Sequence, residues 1–273
     1  MLKKRKDGQL VKMDPMFKVI PLVMEDRVDA QVYYGQDVPI EAMDQYIQEK
    51  KKEGISIGYM HIYYAALIRA IKERPQLNQF IMNGRLYRRN TITISLMVKK
   101  DLSLEGEETS VKIDFTGNES PEDVKNILND YIEKDKNDGN EDVEKFLKIF
   151  DKIPQGLLKY FARFVKFLDR HNFMPNSIIE ASPFHATAFV NSMGSIGLDS
   201  IFHHIYNFGT IGIFLSIGKK GRHVKMKNGE PVEEKTMSIA FVSDERICDG
   251  FYYASSIRLF LKYIKNPKLL DHE

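Results

Sequence analysis

The stretch Ser243-Asp244-Glu245-Arg246-Ile247-Cys248-Asp249-Gly250 decides the fold of this chain. It follows residues 237–242, whose apolar pattern predicts a strand, and precedes residues 251–265, whose aromatic-rich pattern predicts the closing helix. Asp249 is placed to cap that helix or to pair with an arginine. Gly250 is placed to serve the turn between the strand and the helix.

Working outward, the strongest helix signal lies at residues 59–74. Its apolar residues recur at helical spacing and Pro75 ends it; the stripe comprises Tyr63, Leu67, Ala70 and Ile71. The dipeptides Asn83-Gly84 and Asn228-Gly229 each predict a tight hairpin turn between two strands.

The remaining elements alternate between strands and helices. A helix is expected to start at Asp37 and Pro39 and to stop near Gly54, and another to run from 121 to about 134, before a polar linker at 136–140. Strands are expected at 17–20, 31–34, 91–98, 110–115, 178–191 and 210–218. This order predicts a mixed α/β sheet, in one domain spanning residues 1–273.

The motif resembles the active-site signature of the chloramphenicol acetyltransferase and dihydrolipoamide acyltransferase superfamily, which reads roughly Asp-His-Arg-x-x-Asp-Gly or His-His-x-x-x-Asp-Gly. Residues 61–78 resemble the family helix that ends in a Pro-x-x-Asn turn. Residues 188–200 resemble its Phe-Thr-Ile-Ser-Asn-Leu-Gly-x-x-Gly segment, and Asn207 lies near a later family asparagine. The resemblance implies an α/β, chloramphenicol acetyltransferase-like two-layer sandwich with a mixed β-sheet.

The same resemblance implies the chemistry. In the family a histidine is the general base, a serine or threonine hydroxyl donates to the tetrahedral oxyanion, and the site lies between subunits of a homotrimer. By position, the base becomes Glu245, the oxyanion donor becomes Asn191 with Ser192 as the alternative, and Asp249 keeps the largely structural aspartate role. Coenzyme A or an acyl-CoA is the implied co-substrate, and no bound cofactor is expected.

The replacement of histidine by Glu245 leaves three interpretations open. A carboxylate with an ordinary pKa near 4.3 is a weaker base than an imidazole near 6.5, although burial can raise it. Glu245 is therefore a solvent-facing or ion-paired residue, a base tuned by burial, or a residue that binds another ligand. An asparagine amide donates to an oxyanion as well as a hydroxyl does, so Asn191 fits its implied role.

Other candidate groups have simpler interpretations. Cys248 is expected to be buried and inert. His203 and His204 are expected to have packing or interface roles, with catalysis as the alternative, and His185 is expected to be an ordinary strand residue. The histidines show no metal-ligand spacing, so we expect no metal site.

Residues 142–171 depart from the family and read as two amphipathic helices broken at Pro154. The second has an apolar stripe with lysines and arginines on the remaining face: Leu157, Phe161, Phe164, Val165 and Leu168. The stripes are expected to pack on the sheet or on a neighbouring subunit. Membrane-surface or partner docking, and a lid over a substrate channel, are the alternatives.

Bulk composition narrows the function classes. The chain has 273 residues, of which 43% are hydrophobic and 29% charged, as in ordinary globular proteins. A net charge of +2 gives no reason to expect nucleic acid, and one cysteine excludes an internal disulfide. With no secretory segment or apolar run long enough to span a bilayer, we expect a cytoplasmic protein, and a membrane partner is disfavoured.

Three functions remain from the sequence. The first is a CoA-dependent acyltransferase that moves an acyl group to a thiol, hydroxyl or amine. The second is a non-catalytic trimeric binding or assembly protein of the same fold. The third is a peripheral partner of an enzyme complex or a membrane surface that acts through residues 142–171. Function belongs to the site rather than to the fold, so the role of Glu245 decides between the first two.

Overall fold

The structure, a computed structural model, describes residues 5–99, 108–138 and 153–272. Its strands are Gly8–Leu10 (β1), Gln31–Pro39 (β2), Gln79–Met82 (β3), Arg85–Arg89 (β4), Ile92–Lys99 (β5), Glu108–Phe115 (β6), Ala188–Ser192 (β7), Ile213–Lys227 (β8) and Glu230–Asp244 (β9). Its α-helices are Pro15–Val23 (α1), Glu41–Lys52 (α2), Tyr59–Glu73 (α3), Pro121–Asp138 (α4), Gln155–Arg170 (α5), Asn176–Ala181 (α6) and Gly250–Lys265 (α7).

The strands form a mixed six-stranded sheet and a small antiparallel one. The large sheet has the order β2-β9-β8-β7-β5-β6, with β7 parallel to both β5 and β8 and the other pairs antiparallel. The small sheet has the order β1-β4-β3. The mixed α/β sandwich expected from the sequence is therefore confirmed.

One side of the large sheet, the helix-covered face, packs against α2, α3, α4 and α7. Alternate residues of the strands point into this core, as the two-residue period of a strand requires; they include Ile94, Ile113, Val190, Leu215 and Phe241. The α3 residues of the predicted stripe are all buried, and α7 contributes Phe260, which stacks on Tyr63. This face carries the main apolar core.

The other side of the large sheet, the opposite face, carries a smaller apolar cluster built from Phe189, Phe214 and Val242 with Ala186, Ile205 and Ile211. Buried charged side chains surround this cluster: Arg5, Arg27, Arg89, Asp169, His185, Asp244 and Arg246. Arg5 and Arg89 both lie over the Phe80 ring. The opposite face is therefore held together largely by polar contacts.

The Pro-x-x-Asn turn after α3 links the helix to two strands. Asn78 Nδ2 donates to the carbonyl of Thr91 at 3.0 Å, and Asn78 Oδ1 accepts from the Thr187 hydroxyl at 2.6 Å. The Thr187 hydroxyl in turn accepts from the Thr93 backbone at 3.1 Å. This asparagine thus fixes the starts of β5 and β7 relative to α3.

Three sequence predictions are wrong in detail. Residues 17–20 belong to α1 rather than to a strand, because Asp14 caps the Met16 backbone N–H and Pro15 occupies the first turn. Asp37 and Pro39 lie in β2; as an edge strand it tolerates the missing N–H of proline, and α2 begins two residues later. Residues 178–187 are not a strand, since α6 follows Pro175 and β7 begins only at Ala188.

The other predicted elements agree with the structure to within a few residues, including both Asn-Gly hairpins and the closing helix. The first of the two helices expected in 142–171 and part of the linker at 136–140 lie outside the described residues, whereas the second helix is α5. No helix of the described residues is both long and apolar enough to cross a bilayer.

Candidate active site

The motif forms the junction between the last strand and the last helix. β9 ends at Asp244, a short 3-10 turn covers Glu245–Ile247, and α7 begins at Gly250. Asp244 accepts a hydrogen bond from the Arg246 backbone and so caps the short turn. Glu245 therefore stands at the outer corner of this junction, between two buried neighbours.

Asp244 and Arg246 form a buried ion pair with two contacts. Arg246 Nε donates to Asp244 Oδ1 at 2.7 Å and Arg246 Nη2 donates to Oδ2 at 2.8 Å. Arg246 Nη1 donates to the carbonyls of Met24 and Glu25, just beyond α1. A two-pronged pair of this kind fixes geometry as well as charge, so the motif and the end of α1 are held in one arrangement.

A second guanidinium, Arg27, shares the same carboxylate. Its Nε lies 3.5 Å from Asp244 Oδ2 without forming a hydrogen bond, and its Nη1 donates to the Tyr206 carbonyl at 2.8 Å. Burial lowers the pKa of Arg27, and the Asp244 carboxylate acts against this shift. One buried carboxylate thus balances two buried cations, so its loss leaves both uncompensated.

Glu245, the candidate general base, is exposed in the single chain. Within the described residues its carboxylate has neither a hydrogen bond nor an ion pair. The burial that would tune it as a base is therefore not provided by this chain alone. Its exposed position leaves the carboxylate free to meet a ligand or a second copy.

Asp249 is the N-cap of α7, as the sequence predicts: its carboxylate accepts from the Tyr252 backbone at 2.8 Å. The Tyr252 hydroxyl accepts a hydrogen bond from the Gln76 backbone N–H, and this contact connects α7 to the turn after α3. Gly250 has no left-handed backbone, and a Cβ there would meet nothing within 4 Å. Nothing in the single chain therefore requires glycine at this position.

Cys248 is buried, as the sequence predicts. Burial raises the pKa of its thiol to about 12, with the nearby carboxylates of Asp249 and Asp244 adding to the effect. At neutral pH it is a protonated, inert thiol.

Asn191, the candidate oxyanion donor, lies near the end of β7 and is half-buried. Its Nδ2 makes only a weak contact of 3.5 Å with the Met193 sulfur. Its Oδ1 is buried and, among the described residues, has no hydrogen-bond partner. An amide with so little holding it can turn to donate to a developing negative charge at small cost.

The segment after Asn191 is held by close backbone contacts. A Cβ on Gly194 would lie 2.7 Å from the Gly218 carbonyl, and one on Gly218 would clash with the Ser200 backbone nitrogen. Gly197 adopts the left-handed conformation, with φ of 79°. These glycines let residues 193–200 pack against β8, while Ser192, the alternative donor, accepts the Ser195 hydroxyl at its carbonyl.

A single chain does not bring Glu245 and Asn191 together. Asn191 is in register with Ser216, which is in register with Ala240, four residues before the end of β9. Asp244, the residue before Glu245, is therefore roughly 13 Å from Asn191 along the strands and about 10 Å from it across them. A site that uses both side chains is not formed within one chain.

The histidines have structural surroundings. His203 is half-buried and stacks on Phe214 with ring centroids 4.2 Å apart, while His204 stacks on His203. Asn207 accepts the Val28 backbone N–H at 3.0 Å, so it stabilises the turn before β2. The packing interpretation of His203 agrees with these contacts.

Sequence reasoning missed a buried cluster around His185, which precedes β7. Its Nε2 lies 3.1 Å from Asp169 Oδ1 on α5, and its Nδ1 lies 2.9 Å from the Ser182 hydroxyl. Burial lowers the pKa of His185, so the neutral ring donates to Asp169 and accepts from Ser182. The three residues are spread over 169–185, and no local pattern signals their contact.

Two polar clefts also open beside this cluster. One is lined by Arg89, Lys112, Asp114 and His185, and burial lowers the pKa of Lys112 to about 8. The other lies between α1 and α5 and is lined by charged groups of both signs: Glu25, Asp26, Arg27, Lys166, Asp169, Arg170 and Arg246. Either could accept a small polar group.

Within the described ranges, no cluster of three or more His, Cys, Asp or Glu side chains could hold a metal ion.

Comparison with known sequences finds no family model and no curated protein that matches this chain. Solved structures do match it. The dihydrolipoamide acetyltransferase of Azotobacter vinelandii, studied for the catalytic role of a serine, a histidine and an asparagine, has a TM-score of 0.57 at 14% identity, covering 95% of this chain and 93% of its own.

Two further structures extend the likeness. A truncated catalytic core of the 2-oxoacid dehydrogenase multienzyme complex from Thermoplasma acidophilum has a TM-score of 0.55 at 14% identity, covering 95% of this chain and 99% of its own. A chloramphenicol acetyltransferase has a TM-score of 0.51 at 15% identity, covering 95% and 98%. The chain therefore has the chloramphenicol acetyltransferase-like fold that its motif predicts.

Proposed function

We propose that this protein transfers an acyl group from an acyl-CoA to a thiol, hydroxyl or amine acceptor, at a site shared by two copies of a homotrimer. Glu245 of one copy is the general base and Asn191 of its neighbour is the oxyanion donor. The observation that carries the proposal is the Asn191 amide, which is half-buried at a strand end with its Oδ1 unpaired and its Nδ2 held only by a thioether.

The chemistry follows from these two groups. The Glu245 carboxylate takes the proton of the acceptor as the acceptor attacks the thioester carbonyl, and Asn191 Nδ2 donates to the oxyanion that forms. Collapse of the tetrahedral intermediate expels the CoA thiolate, which recovers the proton from Glu245. Asp249 touches none of the reacting atoms; it positions the junction by capping α7.

The surfaces around the two residues support a shared site. Phe251, two residues beyond Asp249, is 80% exposed, and on the Asn191 side Ile196, Leu198 and Phe202 are also exposed. Apolar side chains of this size are commonly covered by a partner. Contact between these surfaces would bury Glu245, as a general base requires.

The alternative is a non-catalytic binding or assembly protein of the same fold. The exposed, unpartnered carboxylate of Glu245 favours it, since a tuned base needs a desolvated setting. In that case Asn191 and Glu245 would be dispensable for whatever the assembly binds.

The decisive experiment uses acetyl-CoA with dihydrolipoamide as a probe acceptor, after light scattering and calorimetric titration with CoA have established mass and binding. Glu245→Gln is expected to lower kcat by roughly 10²–10⁴ and Asn191→Ala by roughly 10²–10³. Glu230→Gln, an exposed carboxylate at the start of β9, is the matched control and should leave the rate unchanged.

Mixed trimers test the shared site directly. In a cyclic trimer assembled at random from equal amounts of the two inactive variants, about one quarter of the sites combine an intact Glu245 with an intact Asn191. Recovery of about a quarter of the wild-type rate is expected. No recovery from two individually inactive variants would refute a site between copies, and no CoA binding at millimolar concentration would leave the non-catalytic alternative.

A further inference from the structure

The solvent-facing side of α5 departs from what the sequence predicts. The second stripe of 142–171 is expected to pack on the sheet or on a subunit, yet only Val165 of that stripe is buried. Four large side chains are at least half exposed: Leu157 (56%), Tyr160 (63%), Phe164 (55%) and Phe167 (50%). They recur at i, i+3, i+7 and i+10, so they form one line along the helix.

A cationic line runs beside the apolar one. Lys159, Arg163, Lys166 and Arg170 are all exposed and recur at i, i+4, i+7 and i+11. At about 100° per residue, the centre of the cationic line lies roughly a quarter turn from the centre of the apolar line. The helix has a single carboxylate, Asp169, which is buried and paired with His185. The exposed side of α5 is therefore apolar and positively charged, with no exposed carboxylate on the helix itself; Glu25 and Asp26 share the cleft that Lys166 and Arg170 line.

α5 is anchored through its C-terminal half, which contains its two buried residues, Val165 and Asp169. Asp169 contacts His185 at 3.1 Å, the Gly209 backbone N–H at 3.3 Å and Arg5 at 3.7 Å, all beneath the helix. These buried contacts fix which side of the helix faces the protein. The apolar and cationic lines are thus presented outward by the fold, over a length of about 24 Å for sixteen residues.

We infer that α5 docks this protein onto an anionic membrane surface. Aromatic and leucine side chains enter the boundary between headgroups and acyl chains, and adjacent lysines and arginines meet anionic headgroups at the same depth. A second copy placed symmetrically on this face would set four cations against four, and the cores of protein interfaces are depleted in lysine. Charge complementarity therefore favours an acidic bilayer over a second copy of the chain.

This inference is independent of the proposed acyl transfer, because Leu157 to Arg170 includes neither Glu245 nor Asn191. The binding test compares flotation of the full-length protein with vesicles of phosphatidylcholine alone and with vesicles containing about 30% phosphatidylserine. Binding to the anionic vesicles only, weakened by high salt, is expected. Absence of binding to either vesicle would overturn the inference.

Two paired substitutions assign the surface. Lys159→Glu with Arg163→Glu, and Phe164→Ser with Phe167→Ser, should each reduce anionic-vesicle binding at least about tenfold. The control pair Lys225→Glu with Met226→Ser changes an exposed cation and an exposed apolar residue on the β8–β9 hairpin, and should bind as wild type does. Equal binding by all three would contradict docking through α5.

The chain contains no tryptophan, so a single introduced tryptophan allows a fluorescence measurement of docking. A misfolded variant would not give the same result. Tyr160→Trp places one fluorophore on the apolar line, and its emission should shift to shorter wavelength with anionic vesicles; Met226→Trp should show no shift. If light scattering shows that Phe164→Ser with Phe167→Ser breaks a larger assembly while lipid binding is absent, the face joins copies of the chain and the inference fails.

Discussion

The two faces of the large sheet are both buried, but one is buried by apolar side chains and the other largely by charged ones. The helix-covered face buries aliphatic and aromatic side chains from four helices. The opposite face buries a much smaller apolar cluster and surrounds it with charged groups, among them Arg27, Asp244 and Arg246. An apolar core contains no titratable group, so its stability depends little on pH. A buried ionic network depends on pH, and removal of one member leaves an uncompensated buried charge.

The largest expected effect is on the opposite face. Asp244→Ala should lower the free energy of unfolding by about 3–5 kcal/mol, because it leaves Arg27 and Arg246 buried without their carboxylate. Urea denaturation measures the loss. Glu230→Gln, an exposed change at the other end of the same strand, is the control and should stay within about 0.5 kcal/mol of wild type. A loss below about 1 kcal/mol for Asp244→Ala would remove the contrast between the faces.

The second expected effect is a pH dependence confined to the opposite face. Burial lowers the pKa of His185, so the unfolded chain takes up a proton that the native chain resists. The free energy of unfolding should therefore fall as pH decreases below about 6.5, by at most about 1.4 kcal/mol per unit, until native His185 is itself protonated. Denaturation curves at pH 7, 6 and 5 should show a smaller slope for His185→Gln.

The groups facing His185 do not reverse this sign. Burial acts to raise the pKa of Asp169, but His185 and Arg5 outweigh it and the pKa is lowered, so this carboxylate titrates below the same window. Phe260→Leu, a buried change on the helix-covered face, should weaken the fold equally at all three pH values. A slope unchanged by His185→Gln would mean that the cluster opens to water before the protein unfolds.

The smallest expected effect is at the start of α7, on the helix-covered face. Asp249→Ala removes the cap on the Tyr252 backbone N–H and should lower the free energy of unfolding by about 1 kcal/mol. Asp249→Asn keeps an acceptor and should recover most of that loss. Thermal denaturation distinguishes the two variants. A loss for Asp249→Ala as large as for Asp244→Ala would show that Asp249 does more than cap a helix.

Much of the fold could be predicted because its signals are local. The motif, the helical stripe of α3 and the Asn-Gly hairpins each lie within a few consecutive residues. The capping role of Asp249 was equally readable, since the cap and the helix adjoin. α1 was missed because its composition favours a strand, while Asp14 and Pro15 supply the stronger helix-start signal.

The rest depends on distance in sequence. Asp244 pairs with Arg27, which is more than two hundred residues away in sequence. Asp169 contacts both His185 and Arg5, and the fold alone brings these three residues together. The roles of Glu245 and Asn191 remain predictions, because the two residues lie apart in a single chain. The sequence does not indicate which residues a second copy would place beside them. The exposure of the apolar line on α5 likewise depends on the distant contacts of Asp169, which determine the side of the helix that faces the protein.

The pairing of β2 with β9 has a kinetic consequence. Gln31 pairs with Asp244, so the edge of the large sheet closes only after nearly the whole chain is available. Loop closure over about 210 residues is slow compared with local hairpin formation, and until then β2 presents an unpaired strand edge. Among the described strands, β2 is separated from its partner by the longest stretch of sequence, so during synthesis on the ribosome it stays unpaired for the longest time. Its exposure time, rather than the stability of the finished sheet, is expected to set how readily the nascent chain aggregates.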